Sequence, residues 1–120
     1  MNVTLRSALL RLTSLSSVAL AVLALGMGSA QAGDAKAGEQ KAATCAACHG
    51  ADGNSQIPTN PILAGQYPSY LEQALKSYRS GERQSAIMAG FAAQLSDEDI
   101  EDLAAWFASQ KGPLQTATSK

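Results

Sequence analysis

A chain of 120 residues with nine Lys and Arg against ten Asp and Glu carries a formal net charge of −1. That balance leaves no basic surface of the kind that grips nucleic acid. The length also bounds the chain to one small domain once its N-terminal segment is set aside.

Residues 1–32 begin with Arg6 and Arg11, continue through an apolar run over 18–27, and end in Gly28-Ser29-Ala30-Gln31-Ala32. This is the pattern of a secretory signal peptide, with Ala30 and Ala32 at the A-x-A positions and cleavage expected after Ala32. The competing reading is an uncleaved anchor, for which the apolar run is short against a span of about 20 residues. Cleavage would leave 88 residues, with seven basic side chains against ten acidic ones and a net charge of −3. The domain is expected over 33–112, followed by a frayed tail over 113–120. A chain of this size buries only roughly 60–65% of its unfolded surface, so an apolar cofactor would complete its core.

After Gly33, Asp34 is placed to cap a helix running from about Ala35 into the Cys45 region. Gly38 interrupts that helix, a cost acceptable where another backbone crosses closely. Then comes Cys45-Ala46-Ala47-Cys48-His49-Gly50, the C-x-x-C-H signal for attaching a c-type haem. Thiols three residues apart share a helical face and can form thioethers with the two vinyl groups of one porphyrin. The adjoining His49 can then bind the iron from the proximal side. A local disulfide, a thioredoxin-type dithiol pair and half a zinc site are the alternatives. Zinc lacks a fourth ligand from the Cys and His pool, and the dithiol pair lacks a βαβ context.

Turn-forming Asp52-Gly53-Asn54 and an irregular stretch with Pro58 and Pro61 follow, up to Gly65. A metal-bound imidazole usually donates its second nitrogen to an acceptor. The Pro61 carbonyl is the candidate and Pro58 the fallback. A helix is expected from Pro68 to Gly81, with Tyr70, Leu71, Ala74, Leu75 and Tyr78 on one face. Lys76, Arg79 and Arg83 gather at its C-terminal end. The helix dipole accounts for them without a haem propionate or a partner protein. Residues 81–95 are apolar without a clear period and contain Met88. With Met1 and Met27 removed and the one histidine assigned, Met88 is the candidate distal ligand, against the plainer reading of a core filler. A last helix is expected from the Ser96 cap to Gln110. Asp97, Glu98, Asp99, Glu101 and Asp102 read as its solvated start, and Ile100, Leu103, Ala104 and Phe107 as its buried stripe, with Trp106 at the edge.

Through Cys45-Ala46-Ala47-Cys48-His49-Gly50, Asp52-Gly53-Asn54, Pro61-Ile62-Leu63-Ala64-Gly65-Gln66 and Leu95-Ser96-Asp97-Glu98-Asp99-Ile100, the chain resembles the class I c-type cytochromes. Within them it is similar to bacterial periplasmic members and to single halves of the two-haem cytochromes. The resemblance implies an all-α fold of three main helices and loops around one covalently attached haem c. It implies thioethers at Cys45 and Cys48, proximal His49 bonded to the Pro61 carbonyl, and distal Met88. It also implies N- and C-terminal helices crossing near Gly38, against Leu103 and Trp106. The first helix departs from many members in having no aromatic residue at this crossing.

The function implied is periplasmic one-electron transfer, not enzymatic turnover. The partners implied are a membrane cytochrome complex, a terminal oxidase or a periplasmic oxidoreductase, met by a monomer with no stable membrane insertion after signal removal. A rim of Ile62, Ile87, Ala89 and Phe91 would serve such partners. The alternatives are a dedicated haem subunit of one periplasmic oxidoreductase and a five-coordinate ligand binder with Met88 off the iron.

Overall fold

The structure, a computed structural model, describes residues 32–114. The proposed signal peptide, apart from Ala32, and residues 115–120 lie outside the described residues. Among the described residues the chain is all-helical, and none of its helices is long and apolar enough to cross a membrane.

Helix α1 spans Ala35–Lys41. The Asp34 carboxylate caps it, accepting the N–H groups of Lys36 at 2.8 Å and Ala37 at 3.3 Å. The continuous helix expected into the cysteine region is interrupted. The chain tightens into a 3-10 turn over Ala42–Thr44, where the Cys45 N–H reaches only three residues back to the Ala42 carbonyl. Helix α2, Ala46–His49, then carries the second cysteine and the histidine.

Helix α3 spans Pro68–Ser80, with proline in its first turn and Gly81 closing it. Helix α4, Ala86–Ala92, occupies the stretch that shows no clear period in sequence. Two turns are too short to establish one, and Ile87 and Phe91 on this helix are 69% and 49% exposed. Its start is fixed by Ser85, whose Oγ accepts the Met88 N–H at 3.3 Å. Helix α5, Asp97–Ser109, opens on a reciprocal cap. Ser96 Oγ accepts the Asp99 N–H, and Asp99 Oδ2 accepts the Ser96 N–H.

Helix α3 packs against both α4 and α5, and α1 crosses α5. The crossing is set by Gly38. A Cβ there would lie 2.0 Å from the Asp102 carbonyl oxygen and 2.8 Å from Trp106 Cβ. The backbone of α1 thus meets Asp102 and Trp106, while Leu103 turns into the core with Ala42, Leu71, Ala104 and Phe107.

The acidic start of α5 is not simply solvated. Lys41 of α1 bonds Asp99 at 2.8 Å and Asp102 at 2.6 Å, and Asp102 also accepts the Asp34 N–H at 2.7 Å. Asp102 is 4% exposed, a burial that its two partners make tolerable. The dipole reading of the basic cluster on α3 is likewise incomplete. Arg79 donates to the Leu95 carbonyl at 2.9 Å and pairs with Asp97, tying the end of α3 to the start of α5.

Candidate functional site

Between α2, the loop after it, α3 and α4 lies a cavity of about 600 Å³. Cys45, Cys48, His49, Pro61 and Met88 all line it, so residues spread over 44 positions of chain meet at one cavity. Leu71, Leu75, Leu103 and Phe107 give it an apolar interior, and Ile62, Ile87 and Phe91 also line it. Of the expected rim, Ala89 does not line the cavity. Tyr70 lines it and is 47% exposed.

His49 is 6% exposed, and its Nδ1 donates to the Pro61 carbonyl oxygen at 2.8 Å. Since a carbonyl only accepts, this bond puts a proton on Nδ1, which leaves Nε2 as the ring nitrogen that could bind a metal. Proline supplies that carbonyl from a segment held on both sides. The Gly53 carbonyl accepts the N–H groups of Leu63 at 2.8 Å and Ala64 at 3.2 Å, and the Gly65 N–H reaches the Phe107 carbonyl at 2.9 Å. Gly53 has φ +81, and a Cβ on it would strike Phe107 Cδ1 at 2.8 Å, so the loop closes over the core only with glycine here.

Sequence reasoning missed two side chains that tie this loop to the motif. Ser55 Oγ and Asn60 Nδ2 both donate to the Cys48 carbonyl, at 3.1 and 3.0 Å. Short polar residues in the loop beyond a helix end were the available signal, because such side chains bond nearby backbone in place of secondary structure. Pro58, the fallback acceptor, makes no contact with the His49 ring nitrogen in this arrangement, which Pro61 takes.

Both cysteines are free and half-buried. Burial pushes the Cys45 thiol above its usual range, the first cause of its shift. A dithiol redox pair works through a lowered thiol pKa, so this environment runs against that reading. Among the described residues no group of three or more Cys, His, Asp or Glu is disposed to hold a free metal ion, which also disfavours zinc.

The residues fit a haem. Two thiols, an imidazole oriented by the Pro61 carbonyl and the thioether of Met88 line one mainly apolar cavity. No buried side-chain nitrogen or oxygen among the described residues lacks a hydrogen-bond partner. Cys45 and Cys48 would hold the vinyl edge and His49 and Met88 the iron.

The family model for cytochrome c matches residues 35–111. Cytochrome c-554(548) of Halomonas halodenitrificans is 52% identical over 71 residues, covering 57% of this chain and 86% of the relative. The crystal structure of reduced recombinant cytochrome c4 from Pseudomonas stutzeri superposes with a TM-score of 0.65 at 48% identity, covering 68% of this chain and 47% of that one. The chain thus spans about half of that cytochrome c4. The cytochrome subunit of sulfide dehydrogenase from Chlorobaculum tepidum is 39% identical over 64 residues, which cover 53% of this chain and 57% of the subunit. With its all-helical fold, its C-x-x-C-H helix and a family match over most of its length, the chain belongs to the cytochrome c family and carries covalently bound haem c.

Proposed function

We propose that this chain is an exported, monomeric one-electron carrier of the periplasm, in which Cys45 and Cys48 bear the haem, His49 is the proximal ligand and Met88 the distal one. The observation that carries the reading is the meeting of α2 and α4 at one cavity, which places the chain's only imidazole and the thioether of Met88 on the same lining. Haem c supplies an iron that exchanges a single electron between ferric and ferrous states.

The protein's own residues set the conditions for that exchange. The Pro61 carbonyl holds the His49 proton at Nδ1, so the imidazole neither rotates nor changes tautomer. Leu71, Leu75, Leu103 and Phe107 keep water from the interior and make the extra positive charge of ferric iron unfavourable. The apolar interior and the thioether ligand place the reduction potential above that of a bis-imidazole site. Exposed Ile87, Phe91 and Tyr70 offer a redox partner an apolar contact beside the cavity. The partners proposed are a membrane cytochrome complex, a terminal oxidase or a periplasmic oxidoreductase. Export rests on the pattern of residues 1–32, and intact-mass measurement of the purified holoprotein tests cleavage after Ala32.

The deciding experiment is the visible spectrum of the holoprotein, oxidised and reduced, before and after acid–acetone extraction. Colour retained by the protein, sharp reduced bands and a weak long-wavelength band in the ferric form support the assignment. Colour lost to the extract, or no long-wavelength band, removes the thioethers or Met88 respectively.

A further inference from the structure

Helix α4, which carries Met88, has little of its own to hold it in place. Ala92 is its one buried residue, Ile87 and Phe91 are exposed, and a Cβ on Gly90 would meet nothing within 4 Å. Seven residues are also too few for a helix to persist without tertiary support. The position of Met88 therefore depends on how the two ends of its segment are fixed. At the entry, the Ser85 cap is local to the helix, and the Arg83 N–H donates to the Ser77 carbonyl of α3 at 3.0 Å. At the exit, the Leu95 N–H turns back to the Ala92 carbonyl at 3.1 Å, and Leu95 lines the cavity.

Arg79 closes that exit from outside the cavity. Its Nη1 donates to the Leu95 carbonyl at 2.9 Å while Nη2 bonds the Asp97 carboxylate. Among the described residues, the Leu95 bond is the one hydrogen bond that joins residues 84–95 to another helix. A guanidinium presents its donors in a fixed fork, so the pair with Asp97 aims the donor that Leu95 receives. The same pair holds the Asp97 carboxyl below its usual range, which keeps it charged. One side chain thus joins three elements: α3 supplies it, α5 orients it, and the end of the Met88 segment is what it holds.

We propose that Arg79 is a positioning residue for Met88, acting as a latch on the Leu95 carbonyl that keeps the Met88 segment closed over the cavity; the proposal rests on the Met88 assignment above. Arg79 does not line the cavity, so it acts through the backbone between residues 88 and 95. Without the latch the segment opens more often and carries the thioether away. The other helices keep their packing, because the core of Ala42, Leu71, Leu103, Ala104 and Phe107 contains no residue of α4.

The test follows cyanide uptake by ferric holoprotein, at concentrations where the rate no longer depends on cyanide and opening of the segment limits it. Cyanide takes the sixth position only when Met88 has left it. The iron–sulfur bond breaks, the carbon lone pair of cyanide forms the new bond, and any proton carried by hydrogen cyanide passes to solvent. Arg79→Gln takes up cyanide about three- to tenfold faster than the parent, the range for losing one charge-assisted hydrogen bond at a solvent-exposed site. Gly38→Ala, which loosens α1 on α5 and leaves α4 untouched, keeps the parental rate. A parental rate in Arg79→Gln, or an equal rise in Gly38→Ala, overturns the proposal, the latter because general loss of stability would then suffice. The Met88 assignment is judged separately, on the long-wavelength ferric band of the parent before cyanide is added. Absence of that band overturns the assignment itself.

Discussion

His49 Nδ1 and the carbonyl oxygen of Pro61 lie 2.8 Å apart across 12 residues of chain, and this bond orients the His49 imidazole. The acceptor belongs to the backbone, so the side chain at 61 is separable from the bond. Pro61→Ala is expected to leave the oxidised and reduced spectra unchanged while lowering stability by about 0.4–1 kcal/mol, through the added freedom of the unfolded chain. Urea unfolding alongside absorption spectra checks both. An altered spectrum would show that ring geometry at 61, and not the carbonyl alone, governs the iron.

Met88 is half-buried and lines the cavity from a helix begun by the Ser85 cap. Met88→Ala is expected to lower the reduction potential, remove the long-wavelength ferric band and open the sixth position to carbon monoxide at one equivalent per chain. Titration of the reduced variant with carbon monoxide decides the point. A variant that binds none and retains the parental spectrum excludes Met88 as ligand.

The helix crossing makes opposite predictions for two glycines. Gly38→Ala places a methyl group against the Asp102 carbonyl and is expected to destabilise by about 1–3 kcal/mol as α1 is pushed from α5. Gly90, on α4, has nothing within 4 Å of an added Cβ. Gly90→Ala should therefore be neutral or stabilising by up to about 1 kcal/mol. Denaturant midpoints of the two variants, at unchanged slope, measure the difference.

The Lys41 network gives stability a defined pH profile. Hydrogen bonds from Lys41 hold the Asp99 and Asp102 carboxyls below the usual carboxylate range. Their contribution is therefore complete above the ordinary value of 3.8 and declines as pH falls below it. The Lys41 ammonium is raised from 10.5, chiefly by Asp102 and then by Asp99. Its contribution is complete below 10.5 and declines as pH rises further. The difference in melting temperature between the parent holoprotein and Lys41→Met should be flat between these limits and shrink outside them. Lys41→Met should lower the plateau more than Lys76→Met, because it strands buried Asp102 whereas Lys76–Glu72 is an exposed pair. Equal losses in the two variants would remove the network's special role.

Much of this protein was legible in order along the chain. Asp34 and Ser96 announce helix starts because their short oxygens match free N–H groups a few residues on, a local requirement that sequence displays directly. The C-x-x-C-H run is equally local, since one helical turn suffices to bring its three side chains together. What stayed hidden depended on separation or on shortness. Seven residues of α4 are too few to show a period, and the break over Ala42–Thr44 is a change in turn tightness that residue type does not dictate. The acidic run on α5 looked uniform, yet Asp102 is buried because α1 brings Lys41 and the Asp34 N–H to it from more than 60 positions away.

By itself, then, the sequence determined the cofactor, its attachment and the helical class, because covalent chemistry and capping are set by neighbours in the chain. Only the tertiary structure decided which charges are buried, which carbonyl receives the imidazole proton, and which of three clustered basic side chains reaches the cavity. Lys76 approaches Glu72 on its own helix and Arg79 pairs with Asp97 at the start of α5, while Arg83, with no carboxylate within 4.0 Å among the described residues, lines the cavity.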